Sequence, residues 1–396
     1  MRRIAIVVWL CACPVRSWAL FTGNDQYNLA DLNSEKRVDA EYFTHLLAYR
    51  PFWTPAPGEE LPRAFFRNSE GSLDTKELFI RREAGFRAFL TTGTYLGYQL
   101  REHDDFEEHS LYQLLEGQYR LGRFFSLRAF GQPTTLKQNS DIGGGMLIGT
   151  DALYLQADYT FVDFNFSNKN VSGETDRRRP SNTLLKGVWK TGTAAMETSF
   201  EYESPIKRAL TDPDRVFNHE ARRASFRFWQ GDWRLTAEWE HHRRSIDDDA
   251  GVRDQDFNKT AYRAEVEKNW RITQKGVRTG LDIYRRLVVY ESSTTADRFD
   301  RQRWEALPYV EWDWVWSPKV SMPLGFYAAF TWDRLATGAS TERLYVTDNA
   351  FKLRVPLRID FNQNVSLVLS FTWNLAQIGG TRTFGGGNGM FQARWP

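Results

Sequence analysis

The sequence predicts an all-β fold: an antiparallel up-and-down barrel that crosses a membrane with its strands. Three observations predict it. Apolar and polar residues alternate over segments of about ten residues, short turns and longer polar loops take strict turns along the chain, and aromatics make up 15% of the 396 residues.

The alternation is clearest late in the chain. Met322, Leu324, Phe326, Ala328, Phe330 and Trp332 interleave with Ser321, Gly325, Tyr327, Thr331 and Asp333. Val365, Leu367, Leu369, Phe371, Trp373 and Leu375 interleave with Ser366, Ser370, Thr372 and Asn374. A side-chain period of two gives one apolar and one polar face. Strands of soluble sandwiches average about five or six residues, whereas spanning strands need about nine to eleven. One segment places Val310, Trp312, Trp314 and Trp316 on a single face. An exported soluble β protein would account for the alternation, but not for that face.

The chain holds 15 Trp, residues suited to places where a ring is half in hydrocarbon and half in water. Mean hydropathy is −0.55, and past the N-terminus no stretch approaches the roughly 20 apolar residues of a spanning helix. A helical membrane protein is excluded. Strands that alternate lipid-facing and inward-facing residues average out as polar. A net charge of +2 and the lack of a basic stripe give no case for nucleic acid.

Residues 1–19 read as a secretory signal. Arg2 and Arg3 are its charged start, 4–12 its apolar core, and Ser17-Trp18-Ala19 its small-x-small cleavage site. Leu10-Cys11-Ala12-Cys13 leaves open a lipidated Cys13 instead. Both cysteines lie here, so cleavage after Ala19 leaves no disulfide. Residues 20–39 are expected to be a periplasmic lead-in, with a short helix over 28–41 as the alternative, and 40–396 the barrel.

Short turns are expected at 91–93, 122–123, 150–151, 191–193, 231–232, 271–275, 317–319 and 361–363. Longer polar loops are expected near 103–109, 133–142, 166–182, 206–217, 244–258, 291–302, 335–344 and 376–386. This is the rhythm of periplasmic turns and outer loops. The strand over 78–90 descends into the first turn, so an ascending strand must precede it. Its candidate lies within 42–53, followed by a ninth outer loop near 54–76. Seventeen connections give 18 strands, with the first the least marked, and 16 is the alternative.

The chain closes on Phe391-Gln392-Ala393-Arg394-Trp395-Pro396. Alternating apolar residues and a near-terminal aromatic resemble the final strand of the bacterial outer-membrane β-barrel superfamily, although Pro396 departs from the usual ending. The resemblance covers roughly 40–396. It is to the architecture of 18-strand porins and exopolysaccharide-export barrels rather than to one family. It implies placement in the outer membrane, insertion by the barrel-assembly machinery and outer-membrane lipid as a partner.

Charges fall on one phase of the strands. Arg81, Glu83 and Arg87 share a strand, as do Glu116 and Arg120. Glu197, Glu201 and Glu203 precede Arg223 and Arg227, then Arg234, Glu238 and Glu240, then Arg263, Glu265 and Glu267, then Arg278 and Asp282, with Lys352 and Arg354 later. A charge facing lipid near the midplane costs about 2–4 kcal/mol, so these residues are expected to line the interior. Trp312, Trp314, Trp316, Phe326, Phe330, Trp332, Phe371, Trp373 and Trp395 are expected to face lipid. The inward charges either brace the wall as ion pairs or form a selectivity surface, and the two roles are compatible. Tyr95, Tyr112, Phe130, Tyr154 and Tyr327 share the inward phase.

Other chemistry is weak in the sequence. Glu238, Glu240, His241 and His242 stand next to Asp247, Asp248 and Asp249, a grouping that suggests water activation or a metal. Adjacent strand residues point to opposite faces, however, so the two histidines cannot share one site without a bulge. The acidic run with Asp254 and Asp256 lacks the ordered spacing of a Ca²⁺ loop. Asp176-Arg177-Arg178-Arg179-Pro180 reads as a basic patch in an outer loop. Gly143-Gly144-Gly145 and Gly385-Gly386-Gly387 are read as permitting close strand approach, bending or a flexible loop rather than as phosphate loops. No cofactor or metal is expected. The reading favoured is a passive conduit for hydrophilic molecules, exporting exopolysaccharide with periplasmic export components as partners. A general or sugar-type diffusion porin is the alternative, and an outer-membrane hydrolase the second alternative.

Overall fold

The computed structural model describes Pro57 and residues 63–73, 77–104, 109–131, 142–161, 175–178, 181–209, 215–248, 253–272, 275–292, 298–337, 343–377 and 383–395, with the short turns between most hairpins. The first strands are β1 (Ala64–Leu73), β2 (Glu77–Thr91), β3 (Thr94–Asp104), β4 (His109–Leu121), β5 (Phe125–Gly131), β6 (Ile142–Gly149) and β7 (Leu153–Phe161). Then come β8 (Thr175–Arg178), β9 (Ser181–Lys190), β10 (Ala194–Ala209), β11 (Arg215–Gln230), β12 (Trp233–Asp248) and β13 (Arg253–Ile272). The last are β14 (Lys275–Ser292), β15 (Arg298–Ser317), β16 (Val320–Thr337), β17 (Arg343–Asp360), β18 (Val365–Gln377) and β19 (Thr383–Trp395).

Every neighbour pairs antiparallel in a single sheet, and β1 pairs with both β2 and β19, which closes it. β10 takes β9 along its lower part and β8 along its upper part, so β8 and β9 count as one stave. The fold is thus a closed antiparallel barrel of 18 staves. Trp395 stands opposite Ala64 at the end that carries the short turns.

The strand ends bracket all eight short turns expected from the sequence. Gly93 (φ 85°) and Gly231 (φ 57°) supply the left-handed backbone two of them need. Above the turns the sequence reading requires correction. The first stave is β1, so the loop expected near 54–76 in fact contains a strand; the candidate within 42–53, like the leader and lead-in, lies outside the described residues. Much of the loops expected at 206–217, 244–258 and 291–302 is ladder, in strands of 16 to 20 residues. Polar hairpins continue to hydrogen-bond beyond the apolar band, where alternation in hydropathy no longer marks them. Asp176 to Arg178, expected in a loop, belong to β8.

The two faces divide by chemistry. Leu96, Leu115, Leu127, Ile148, Leu155, Phe326, Trp332 and Phe371 are all exposed on one phase. The other phase holds buried charges, including Glu116, Glu197, Asp282, Arg303, Glu305 and Lys352. In a closed barrel the exposed apolar phase is the outside and the buried ionic phase the inside. A small buried cluster of Ala261, Tyr284, Leu307, Tyr309, Tyr327 and Ala329 sits on the inner face of β13–β16. The wall is uneven in height: β5, β6 and β7 have 7, 8 and 9 residues, while β13 and β15 have 20 each.

Candidate functional site

The barrel interior is a continuous field of paired charges. Arg87 donates to Glu116 at 3.0 Å, Glu116 also meets Arg128 at 3.7 Å, and Arg128 pairs closely with Asp158. Two of these pairs skip a strand, Arg87–Glu116 over β3 and Arg128–Asp158 over β6. Arg128 on β5 reaches Asp158 on β7 across Gly145 of β6, where an added Cβ would fall 2.0 Å from the Asp158 carboxylate. Glycine on the inner face of β6 makes the bridge sterically feasible.

The chain of pairs continues around the wall. Lys186 lies 3.0 Å from Glu197, which also pairs closely with Arg227, and Arg223 lies 3.5 Å from Glu201. Arg234 meets Glu267 at 3.0 Å. Arg263 faces Asp282 at 2.7 Å, with Glu265 at 3.4 Å and Glu238 at 3.6 Å. Arg278 meets Glu311 at 2.8 Å. Glu83 pairs with Arg67 at 3.2 Å, and Arg120 donates to the carbonyls of Gly122 and Arg123 at the turn. Lys352 and Arg354 are buried on the same face, Arg354 donating to Ser370 Oγ at 3.2 Å. The side chains of Arg81 and Tyr112 lie outside the described residues.

Several inner groups were not singled out from the sequence: Arg128, Asp158, Arg301, Arg303, Glu305, Tyr309 and Glu311. Once Trp312 and Trp314 are placed outside, Glu305, Tyr309 and Glu311 must point inward by parity, so the signal was present. Arg303 donates to Glu305 at 2.6 Å, and Arg301 to Asp333. The Tyr309 hydroxyl shares its hydrogen between Glu265 Oε1 at 3.1 Å and Glu267 Oε2 at 2.9 Å. Tyr327 donates to Glu311, and its ring lies 5.7 Å from that of Tyr309. Tyr327 borders a cavity of about 970 Å³ at the short-turn end. Asp232, Glu265, Glu267, Glu311, Asp313 and Asp360 line it against Arg234, Arg278, Arg354 and Arg358.

Tyr95 lies inward beneath the Arg87 guanidinium, 4.8 Å from ring centre to Cζ. Phe130 lies inward beside Arg128, at 5.9 Å. Tyr154 shares the inward phase with Asp158 of β7.

The histidine group divides between the faces. His242 points inward, 3.0 Å from Glu240, which also meets Lys259 at 3.1 Å. His241 points outward, stacked on Trp239 and 3.1 Å from Thr260 Oγ1. Asp247 accepts from Asn218 at 2.7 Å, and Asp256 faces Arg243 at 3.5 Å. Among the described residues no three His, Cys, Asp or Glu side chains converge as a metal site.

On the outside, Trp312, Trp314, Trp316, Phe326, Trp332, Phe371 and Trp395 are each more than 40% exposed. Trp312 stacks on Trp314 at 6.0 Å, Phe330 on Trp332 at 6.3 Å, and Phe371 lies 6.0 Å from Trp373.

No protein-family model matches the chain, and neither does any curated protein. Solved structures do. A bacterial polysaccharide outer membrane secretin is 11% identical, with 85% of this chain and 100% of that one covered and a TM-score of 0.43. OccK5 (OpdH) of Pseudomonas aeruginosa is 11% identical, over 84% and 97% of the two chains, with a TM-score of 0.39. OmpT of Vibrio cholerae is 9% identical, over 84% and 95%, with a TM-score of 0.38. With its closed 18-stave wall, apolar outer face and paired charges within, the chain is a transmembrane β-barrel.

Proposed function

We propose that the protein is a passive diffusion channel of the outer membrane for small hydrophilic solutes, of general or sugar-accepting type. The observation that carries this reading is the inner wall. Its charges of both signs pair where they stand, so neither sign dominates the path and a water-filled route need not select strongly by charge.

The density of the inner side chains favours small solutes over a polymer. Asp282, Glu305 and Tyr327 face the interior yet are only 0%, 1% and 2% exposed. Inner side chains therefore pack upon one another and occupy cross-section that a hydrated polysaccharide strand would need. Export of exopolysaccharide is the second reading, favoured by inward aromatics beside charges at Tyr95 and Phe130.

The test is single-channel recording in planar bilayers. The expected result is stable ohmic steps with weak ion selectivity, reduced by millimolar neutral oligosaccharide if the path accepts sugars. Purified, folded protein that gives no conductance steps would overturn the proposal. Loss of surface polysaccharide on deletion, with no change in solute uptake, would favour export.

A further inference from the structure

We propose that the outer face of β14–β16 carries a docking site for a phosphorylated lipid headgroup of the outer leaflet. On β15 the outward residues run Trp314, Trp312, Val310, Pro308, Ala306, Trp304. Ten residues separate Trp314 from Trp304. At about 3.3 Å per residue and a tilt of about 40° they span about 25 Å, the height of the apolar band. Trp304 therefore marks the boundary remote from the short turns, where aromatic rings sit at headgroup level.

At that boundary the donors converge. Arg285 stands opposite Trp304 on one side, and its guanidinium lies 4.7 Å from the indole ring. Gln302, the next outward residue beyond Trp304, stands opposite Arg334 on the other side. The Gln302 amide satisfies its neighbours only with its oxygen toward them, accepting from Arg285 at 3.2 Å and from Trp304 Nε1 at 2.9 Å. In that orientation its NH₂ group is left to donate. Arg285 Nε is buried without a hydrogen-bond partner.

The result is a donor-only surface between two arginines. Among the described residues neither Arg285 nor Arg334 has an ion-pair partner, and Asp300, the next outward position beyond Gln302, pairs with neither. Charge-assisted hydrogen bonds from guanidinium groups to phosphate are strong and directional, and basic patches at membrane boundaries collect anionic headgroups. A site facing sideways at the lipid boundary fits a phosphate carried on acyl chains better than one free in solution.

Native mass spectrometry of the folded protein in detergent tests this, with bisphosphorylated lipid A as probe. Monophosphorylated lipid A and inorganic phosphate are the comparison ligands. The double variant Arg285→Ala, Arg334→Ala is expected to lose bound bisphosphorylated lipid at least fivefold. Arg298→Ala, which removes an exposed outward arginine already 3.8 Å from Glu291, should leave it unchanged. If the double variant fails to fold, Arg285→Gln and Arg334→Gln tested singly should each lower binding at least twofold. Equal lipid binding by variants and parent would overturn the proposal. So would inorganic phosphate competing as well as the lipid does.

Discussion

Gly280 stands directly opposite Tyr309 across the β14–β15 ladder, and the phenol ring occupies the space a Gly280 Cβ would need, 2.3 Å away. The ring lies flat on the wall because its neighbour has no side chain, which brings its hydroxyl to Glu265 and Glu267. Gly280→Val should lift Tyr309 into the lumen and break both contacts, at an overpacking cost of about 1–3 kcal/mol. The expected outcome is a folded barrel with a lowered unfolding temperature by heat-modifiability gel and a smaller unit conductance. Unchanged conductance would place Tyr309 away from the conducting path.

Arg263 holds Asp282 with a guanidinium that also meets Glu265 and Glu238. The Asp282 side chain has no exposed surface. Arg263→Ala would take the guanidinium from that carboxylate, and breaking a buried pair costs about 3–5 kcal/mol. Replacing both residues, as Arg263→Met with Asp282→Asn, should recover much of the loss. Urea unfolding in lipid vesicles reads both variants, and a double variant as unstable as the single one would contradict a pairwise role.

Phe326 faces outward opposite Val310, near the middle of its stave. Phe326→Arg sets a charge in hydrocarbon and should cost about 2–4 kcal/mol, visible as a drop in heat-modifiable protein in the membrane fraction. Arg227→Ala on the inner face should be tolerated, because Glu197 keeps Lys186 at 3.0 Å. Equal tolerance of the two variants would reverse the inside and outside of the wall.

Six carboxylates and four arginines line the cavity at the short-turn end. Neutralising Arg234 and Arg278 as Gln should therefore raise the cation-to-anion permeability ratio roughly twofold or more. Reversal potentials across a KCl gradient give the ratio directly. A shift toward anions would exclude these side chains from the ion path.

The turns and the facing of the charges were legible because each obeys a local rule. Gly93 and Gly231 mark turns by backbone conformation, and parity alone sets Arg263 inside once Tyr262 and Ala264 are outside. The extent of β12 and β13 beyond the membrane was not legible. There both faces meet water, so residues such as Arg243 and Asp256 carry no alternation even while they pair across the ladder. The first stave was missed because β1 reads AFFRNSEGSL, with apolar residues only at its two ends and no alternation between. The strand-skipping pairs could not have been foreseen, since they depend on how far Arg128 reaches over Gly145.

The seam between β1 and β19 joins residues 64–73 to residues 386–395 through ten register pairs. More than three hundred residues separate the two partners, so this contact is the longest-range one in the ladder and, by topology, the slowest to find. Until it forms, both edge strands present bare N–H and C=O groups that hydrocarbon cannot satisfy. Zipping up the seam and settling into the bilayer are thus a single commitment. Whatever escorts the chain to the membrane must shelter both edges until the last stave has been delivered.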